Sequence, residues 1–318
     1  MERPLVSVIC LCYNHERFVK EAIDSVLNQT YPNIELIVVD DCSTDRSVTV
    51  IKSITSQNPR IKFLSLKTNL GNCKAFNQGW KMATGQFVVD FSTDDVMLPE
   101  RIEKQIDFFL KQGKQAGVVF TDAIYIDDKG APFKNHFEYL LKKKLIDHIP
   151  SGDIFRDVLT TYFICSPTMM VRKEVMDSLG GYDESLAYED FDFWMRASRD
   201  FHFTFLNERL TKVRKSSGSM SSAWYEPGDP QLHSTYLVCL KATNLCRDEA
   251  DRNALRWRVL YEFKQAVFSG NNKESKLFAQ LLRSSGKISF SFYVIRLASF
   301  IPLPWPWIRS SYYKLLYN

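Results

Sequence analysis

Gln86-Phe87-Val88-Val89-Asp90-Phe91 runs straight into Ser92-Thr93-Asp94-Asp95. The first six residues read as a largely apolar strand, and the next four as a turn that ends in two adjacent carboxylates. The same pattern recurs upstream. Val6-Ser7-Val8-Ile9-Cys10-Leu11-Cys12 is an apolar strand ending at Tyr13-Asn14, and Glu35-Leu36-Ile37-Val38-Val39 is another ending at Asp40-Asp41. Helices are expected between them. Phe18, Ala22, Ile23, Val26 and Leu27 share one face before Tyr31-Pro32 ends the first helix. Ser43-Thr44-Asp45 caps a second, running to Gln57. Ile61–Leu66 reads as a strand, 72–83 as a helix closed by Gly85, and Val118–Asp122 as a fifth strand. Pro99 opens a helix with Ile102, Ile106 and Phe109 inward. Apolar strands alternating with amphipathic helices predict an α/β domain with a parallel, doubly wound sheet. Such sheets bind ligands at the carboxyl ends of their strands, where the polar clusters fall.

Beyond 124 the alternation weakens. Residues 134–150, with Lys142-Lys143-Lys144, read as a solvated loop or helix. A helix near 153–161, a strand at Thr168–Val171 and a helix through Glu189–Ser198 follow. After a polar stretch at 214–230, residues 231–283 read as helical, and 286–318 are aromatic and broken by proline.

Apolar residues make up 45% of the 318 and charged residues 25%, the composition of a globular protein with a sizeable core. The net charge of +4 resides in the tail, since 287–318 hold Lys287, Arg296, Arg309 and Lys314 and no acid. A balanced body without a basic patch disfavours a nucleic-acid partner. Seven scattered cysteines without a CxxC pair read as buried reduced thiols, and no signal peptide or membrane-spanning run is recognisable. These features predict a cytoplasmic protein.

The first turn, Cys12-Tyr13-Asn14-His15-Glu16, lacks the glycines of a dinucleotide-binding loop. Tyr13 suits stacking on a base, or a plain place on the rim. A carboxylate of Asp40-Asp41 suits the imide of a uracil or thymine, while Asp41 or Ser43 equally suits a helix cap. Asp94 and Asp95 are hard oxygen donors for Mg²⁺ or Mn²⁺, or solvated turn acids. Asp190, in Glu189-Asp190-Phe191-Asp192, suits a general base acting on an acceptor hydroxyl, or a helix-start acid.

In this order the segments resemble the inverting nucleotide-sugar glycosyltransferases of family 2. They are Val6-Ser7-Val8-Ile9 with Tyr13-Asn14; Val39-Asp40-Asp41-Cys42-Ser43; Asn69-Leu70-Gly71 through Asn77 to Gly85; Asp94-Asp95 with Leu98-Pro99-Glu100; and Gly180-Gly181-Tyr182-Asp183-Glu184 leading to Glu189-Asp190. The resemblance implies a GT-A fold divided into a nucleotide-sugar half (1–122), an acceptor half (123–228) and a helical extension with its tail (229–318). It implies that Tyr13 stacks on the base and Asp40 binds its imide, with Asn14 and Asp41 in the same nucleotide site. Asp94 would lie by the ribose and diphosphate, Asp95 with Asp94 would hold Mn²⁺ or Mg²⁺, and Asp190 would be the catalytic base. Lys74 and Asn77 would lie near the phosphates, and Glu189 and Arg214 on the acceptor or phosphate side. Ser92 stands where the family commonly has a first aspartate, and Ser216 where many members have a histidine; Arg214 or Lys215 would then hold the diphosphate on a 215–228 lid.

The reaction implied is a single displacement from a UDP- or dTDP-sugar to a saccharide or lipid-linked saccharide, inverting the anomeric carbon, in cell-surface polysaccharide or lipopolysaccharide synthesis. Ser92 and Ser216 motivate one alternative, a non-catalytic sugar-nucleotide-binding or scaffold member. A nucleotidyltransferase is disfavoured because residues 6–20 hold no glycine-rich phosphate loop. The aromatic, basic stretch 287–318 suits contact with the membrane surface.

Overall fold

A computed structural model describes residues 3–215, 225–286 and 290–299. Strand β1 (Val6–Cys12), helix α1 (Val19–Leu27), β2 (Ile34–Asp40), α2 (Ser47–Gln57), β3 (Lys62–Ser65), α3 (Asn72–Met82) and β4 (Phe87–Ser92) follow the predicted alternation. β1 lies between β2 and β4, parallel to both, and β3 lies parallel outside β2. The register sets Cys12 beside Asp40 and Leu11 beside Ser92. One rim therefore collects the turns that follow β1, β2 and β4.

The pleat divides each central strand between two cores. Val6, Val8 and Cys10 face α1 and the later helix α4 (Arg101–Lys111), with Ile23, Ile102 and Ile106. Ile9, Leu11, Ile37 and Val39 face the other way, toward Phe76 and the aromatic residues of later helices. Both sides of these strands are covered, which is why they are apolar throughout.

After the acidic turn the chain makes the short β5 (Val96–Met97) and α4. It continues through β6 (Ala116–Ile126), β7 (Pro132–Asn135), α5 (His136–Lys142), α6 (Phe155–Thr160), β8 (Met170–Arg172), α7 (Lys173–Leu179), α8 (Asp190–Ala197) and β9 (His202–Arg214). The sheet order is β3-β2-β1-β4-β8-β6-β9-β5, with β7 on β6. β8 runs antiparallel to β4 and β6, while β6 and β9 are parallel. The short turn from β4 to β5 thus carries the chain from the sheet's middle to its far edge.

The sequence reading holds for the first four strands and for α4, α6, β8 and α8, and departs at the fifth strand and at β9. The fifth strand is longer than Val118–Asp122 and joins the parallel half only through β8. β9 has no counterpart in the sequence reading. Its alternation is broken where pairing jumps from Thr121–Leu206 to Asp122–Arg209, leaving Asn207 and Glu208 in a bulge. Residues 134–142 are strand end and helix, with Phe137 and Leu140 buried. The predicted helical stretch is α9 (Pro230–Leu245), α10 (Glu249–Phe268) and α11 (Asn272–Ser284), followed by α12 (Phe290–Ser299). Val238, Phe263 and Phe278 on these helices share a core with the sheet.

Gly85 marks how closely the chain approaches β1. A Cβ there would lie 2.7 Å from the Ser7 amide nitrogen and 2.8 Å from the Leu5 carbonyl oxygen, both backbone atoms that cannot swing aside. Gly85→Ala is expected to destabilise the fold by ~1–3 kcal/mol, read as a thermal midpoint lowered by several degrees. An unchanged midpoint would contradict this close approach.

Candidate active site

Three turns at the rim are laced together. Asn14 adopts the left-handed conformation (φ 58°). Its side-chain oxygen accepts from the Thr44 amide at 2.8 Å, and its own amide donates to Ser43 Oγ at 2.9 Å. His15 Nδ1 lies 2.9 Å from Thr93 Oγ1, which joins the first turn to the acidic one. Tyr13 projects from this lacing with 45% of its surface exposed.

The two acids after β2 are turned inward. Asp40 has no exposed surface, and both of its oxygens accept from Ser43, amide and hydroxyl. Asp41 accepts from the Leu70 and Gly71 amides at 2.7 and 2.9 Å, anchoring the loop into α3. Neither caps α2, whose N-cap is Arg46; Asp45, just before it, accepts from the Ser47 amide at 2.9 Å. Asp40 therefore reaches the rim but, in this conformation, offers a base no open surface.

Two further residues of the expected site are bonded to protein groups in this conformation. Asn77 is buried, and its amide is spent on Tyr182 backbone atoms at 2.8 and 3.0 Å and on Glu184 at 3.0 Å. It ties α3 to the Gly180–Glu184 loop and has no donor left for a phosphate. Arg214 is likewise buried rather than on a lid. Its guanidinium donates to the Asp94 carbonyl, the Asp127 carbonyl and Glu21, at 2.9, 2.8 and 2.8 Å. Lys74 is half-buried in the first turn of α3 and makes no ion pair among the described residues. Ser216 and most of the expected lid lie outside the described residues.

The acidic turn is built around Arg214. The Arg214 amide donates to Asp95 Oδ1 at 2.8 Å, fixing a carboxylate that is 2% exposed. Burial, and then the charge of Asp94, push the Asp95 carboxyl well above the usual range. Ser92 replaces a carboxylate but is not idle, since its hydroxyl donates to Asp94. No group of three His, Cys, Asp or Glu side chains able to hold a metal occurs among the described residues. Two adjacent carboxylates fit Mg²⁺ or Mn²⁺ sharing its coordination with substrate phosphates, and do not fit a closed protein cage.

A second cluster lies where α8 begins. One buried oxygen of Asp190 has no hydrogen-bond partner among the described residues. Glu189 accepts from Asn72 Nδ2 at 2.5 Å, and Asp90 accepts from the Tyr182 hydroxyl at 3.0 Å. Burial pushes all three carboxyls up, Asp90 to about 7, and the charge of Asp190 adds to the shift at Asp90. The sequence reading passed over Asp90. Its signal was an acid inside an apolar strand, on the face of Val88 and Ser92, where an ionised group is costly. Asp192 fixes α8 from behind, paired with Arg196 at 2.7 Å and with Lys241 of α9 at 2.6 Å.

This arrangement has known counterparts. The model of glycosyl transferase family 2 matches residues 7–180, and the chain belongs to that family. An uncharacterized glycosyltransferase of Methanocaldococcus jannaschii is 32% identical over 67% of this chain and 72% of its own. EpsE of Bacillus subtilis, described as a glycosyltransferase, is 33% identical over 67% of this chain and 74% of its own. TuaG of Bacillus subtilis, described as a teichuronic acid biosynthesis glycosyltransferase, is 27% identical over 69% and 82%. Among solved structures, Staphylococcus aureus TarS in complex with UDP-GlcNAc superposes with a TM-score of 0.66 at 22% identity, covering 88% of this chain and 80% of that one. A Pyrobaculum calidifontis mannosyltransferase with GDP-Man and Mn²⁺ gives 0.57 at 16% identity, over 100% and 88%. The fold is GT-A.

Asp90 has a pH signature. Its carboxyl is ordinarily ionised above 3.8 but holds its proton to about 7 in the fold, so it contributes its full stability below pH 4 and loses it as pH rises to 7. Asp90→Asn keeps an acceptor for Tyr182. Its melting midpoint should match wild type near pH 4 and exceed it by several degrees at pH 8. A constant difference across that window would contradict the assignment.

Proposed function

We propose that this chain is an active inverting glycosyltransferase that moves a sugar from a UDP- or dTDP-linked donor to an acceptor hydroxyl, in cell-surface polysaccharide or lipopolysaccharide synthesis. The observation that carries the reading is the unpartnered carboxylate oxygen of Asp190, whose charge bears on Asp90 of β4, the strand that leads into the acidic turn. Teichuronic acid synthesis in one relative and UDP-GlcNAc in one structural neighbour support the substrate class. We assign 1–122 to the donor side, 123–228 to the acceptor side and 229–318 to a helical extension.

In this mechanism Asp190 accepts the acceptor's hydroxyl proton as the oxygen bonds to the anomeric carbon. The bond from that carbon to the diphosphate breaks, and its electron pair leaves with the nucleoside diphosphate. Attack from the opposite face inverts the configuration. Tyr13 stacks on the base, while Asn14 and Asp41 hold the turns that shape its pocket. Asp40 takes the imide N–H once the Ser43 hydroxyl releases it. Lys74 lies toward the phosphates. Asp94 and Asp95 would hold Mn²⁺ or Mg²⁺, which when bound offsets the charge developing on the diphosphate. Glu189 orients Asn72 beside the base.

Nucleotide release from a panel of nucleotide sugars with Mn²⁺ tests this directly. Asp190→Asn should lower turnover by ~10²–10⁴-fold while the thermal shift given by UDP is unchanged. No release by wild type with any donor and acceptor removes the enzyme reading, and full activity in Asp190→Asn removes the base.

The tail supports a cytoplasmic, membrane-peripheral placement. Phe290, Tyr293, Val294 and Leu297 of α12 are all more than half exposed and recur at helical spacing, while Phe292 is buried against Phe263. No helix among the described residues is long and apolar enough to cross a membrane. Trp305-Pro306-Trp307 and Arg309 lie outside the described residues. The protein should co-sediment with anionic vesicles, and Phe290→Ser with Leu297→Ser should abolish this. Equal recovery with and without vesicles would refute it.

A further inference from the structure

The corner between β7 and α5 forms a groove of about 470 Å³ lined by Pro132, Phe133, Lys134, Glu138, Tyr139 and Lys142. Two features set it apart from an ordinary surface dimple. Phe133 is 57% exposed, its ring roughly parallel to that of Tyr125 with centres 6.4 Å apart, so a large flat apolar face is turned toward solvent. Lys134 is half-buried, its ammonium 3.8 Å from the Tyr139 ring centre and 5.0 Å from that of Tyr125, with no carboxylate within ion-pair distance among the described residues. Rings hold this cation in place but leave its charge uncompensated. Glu138 is the one acid in the lining, its carboxylate accepting from Asn135 Nδ2 at 2.8 Å and lying beyond ion-pair distance of Lys134. Lys142, Lys143 and Lys144 are exposed beyond it, so four lysines fall within eleven residues at this corner.

The groove adjoins the catalytic rim. Tyr125 and Lys134 are paired across β6 and β7. Tyr125 also lies 5.0 Å from the Lys215 ammonium, and Lys215 directly follows Arg214, which holds Asp95. A polymer lying in the groove would therefore run toward the β9 end of the donor site.

We infer that this groove is an acceptor subsite for an acidic saccharide chain, with a sugar ring on Phe133 and its carboxylate or phosphate on Lys134 and Lys142. The C–H face of a sugar suits an exposed ring, and a fixed ammonium selects the acidic group. Burial, and then the charge of Lys215, lower the Lys134 ammonium from its ordinary range, and an anion in the groove would offset both. The inference rests on the transferase reading for its purpose but not for its detection.

The test is equilibrium binding of three probes to the full chain: hexagalacturonate, a glycerol-phosphate oligomer and neutral maltohexaose. At least one acidic probe should bind about tenfold tighter than maltohexaose and weaken as salt rises. Which acidic probe binds distinguishes carboxylate from phosphate. Lys134→Met, which keeps the stem over Tyr139, and Phe133→Ala should each weaken that binding about fivefold or more, with the thermal shift given by UDP unchanged. Acidic probes that bind no better than maltohexaose, or variants that bind them as wild type does, would overturn the inference. Failure of the transferase reading would appear separately, as wild type that binds acidic probes but releases no nucleotide.

Discussion

Arg214 holds the rim together. It is a buried cation at the end of β9, and three separate parts of the chain meet on it. Its amide fixes the Asp95 carboxylate, and its guanidinium takes the Asp94 carbonyl, the Asp127 carbonyl and the Glu21 carboxylate. The Phe18 ring lies 4.4 Å from the guanidinium carbon. A buried guanidinium is tolerated only when its donors are met, and the planar fork meets several at fixed angles. It ties the turn from β4 to β5, which crosses to the sheet's far edge, to α1 and to the end of β6.

The carboxylates carry a cost that the fold does not remove. Asp95 on one side, and Asp90, Glu189 and Asp190 on the other, are all raised by burial, so the fold favours their neutral forms. Each cluster gains from an added positive charge or a transferred proton. In the proposed reaction a cation beside Asp94 and Asp95 would answer the first need, and a hydroxyl proton passing to Asp190 the second. The frame behind them is rigid: Asp192 is clamped by Arg196 and Lys241, and Asn77 secures the loop before α8.

The parallel half of the sheet was legible because buried strands and one-sided helices have different periods, and these dominate residues 6–92. The acidic turn and the Glu189-Asp190 helix start were legible as acids at the ends of such elements. β9 was not, because its pairing with β6 is bulged and its alternation is interrupted at Asn207 and Glu208. The protein contacts of Asn77 and Arg214 are not legible for a different reason. An amide or a guanidinium suits a phosphate and a backbone carbonyl equally well, and only the fold shows that Tyr182, Asp94 and Asp127 had already claimed them. Asp90 was overlooked because a strand reading by average hydropathy absorbs a single acid.

The central claim is that the rim from Tyr13 to Asp95 is one nucleotide-diphosphate site completed by a divalent cation. Isothermal titration of UDP, with and without Mn²⁺, tests it most directly. The account predicts one UDP per chain, bound with Mn²⁺ and released on chelation. Binding that ignores the metal, or GDP taken in preference to UDP, would contradict it.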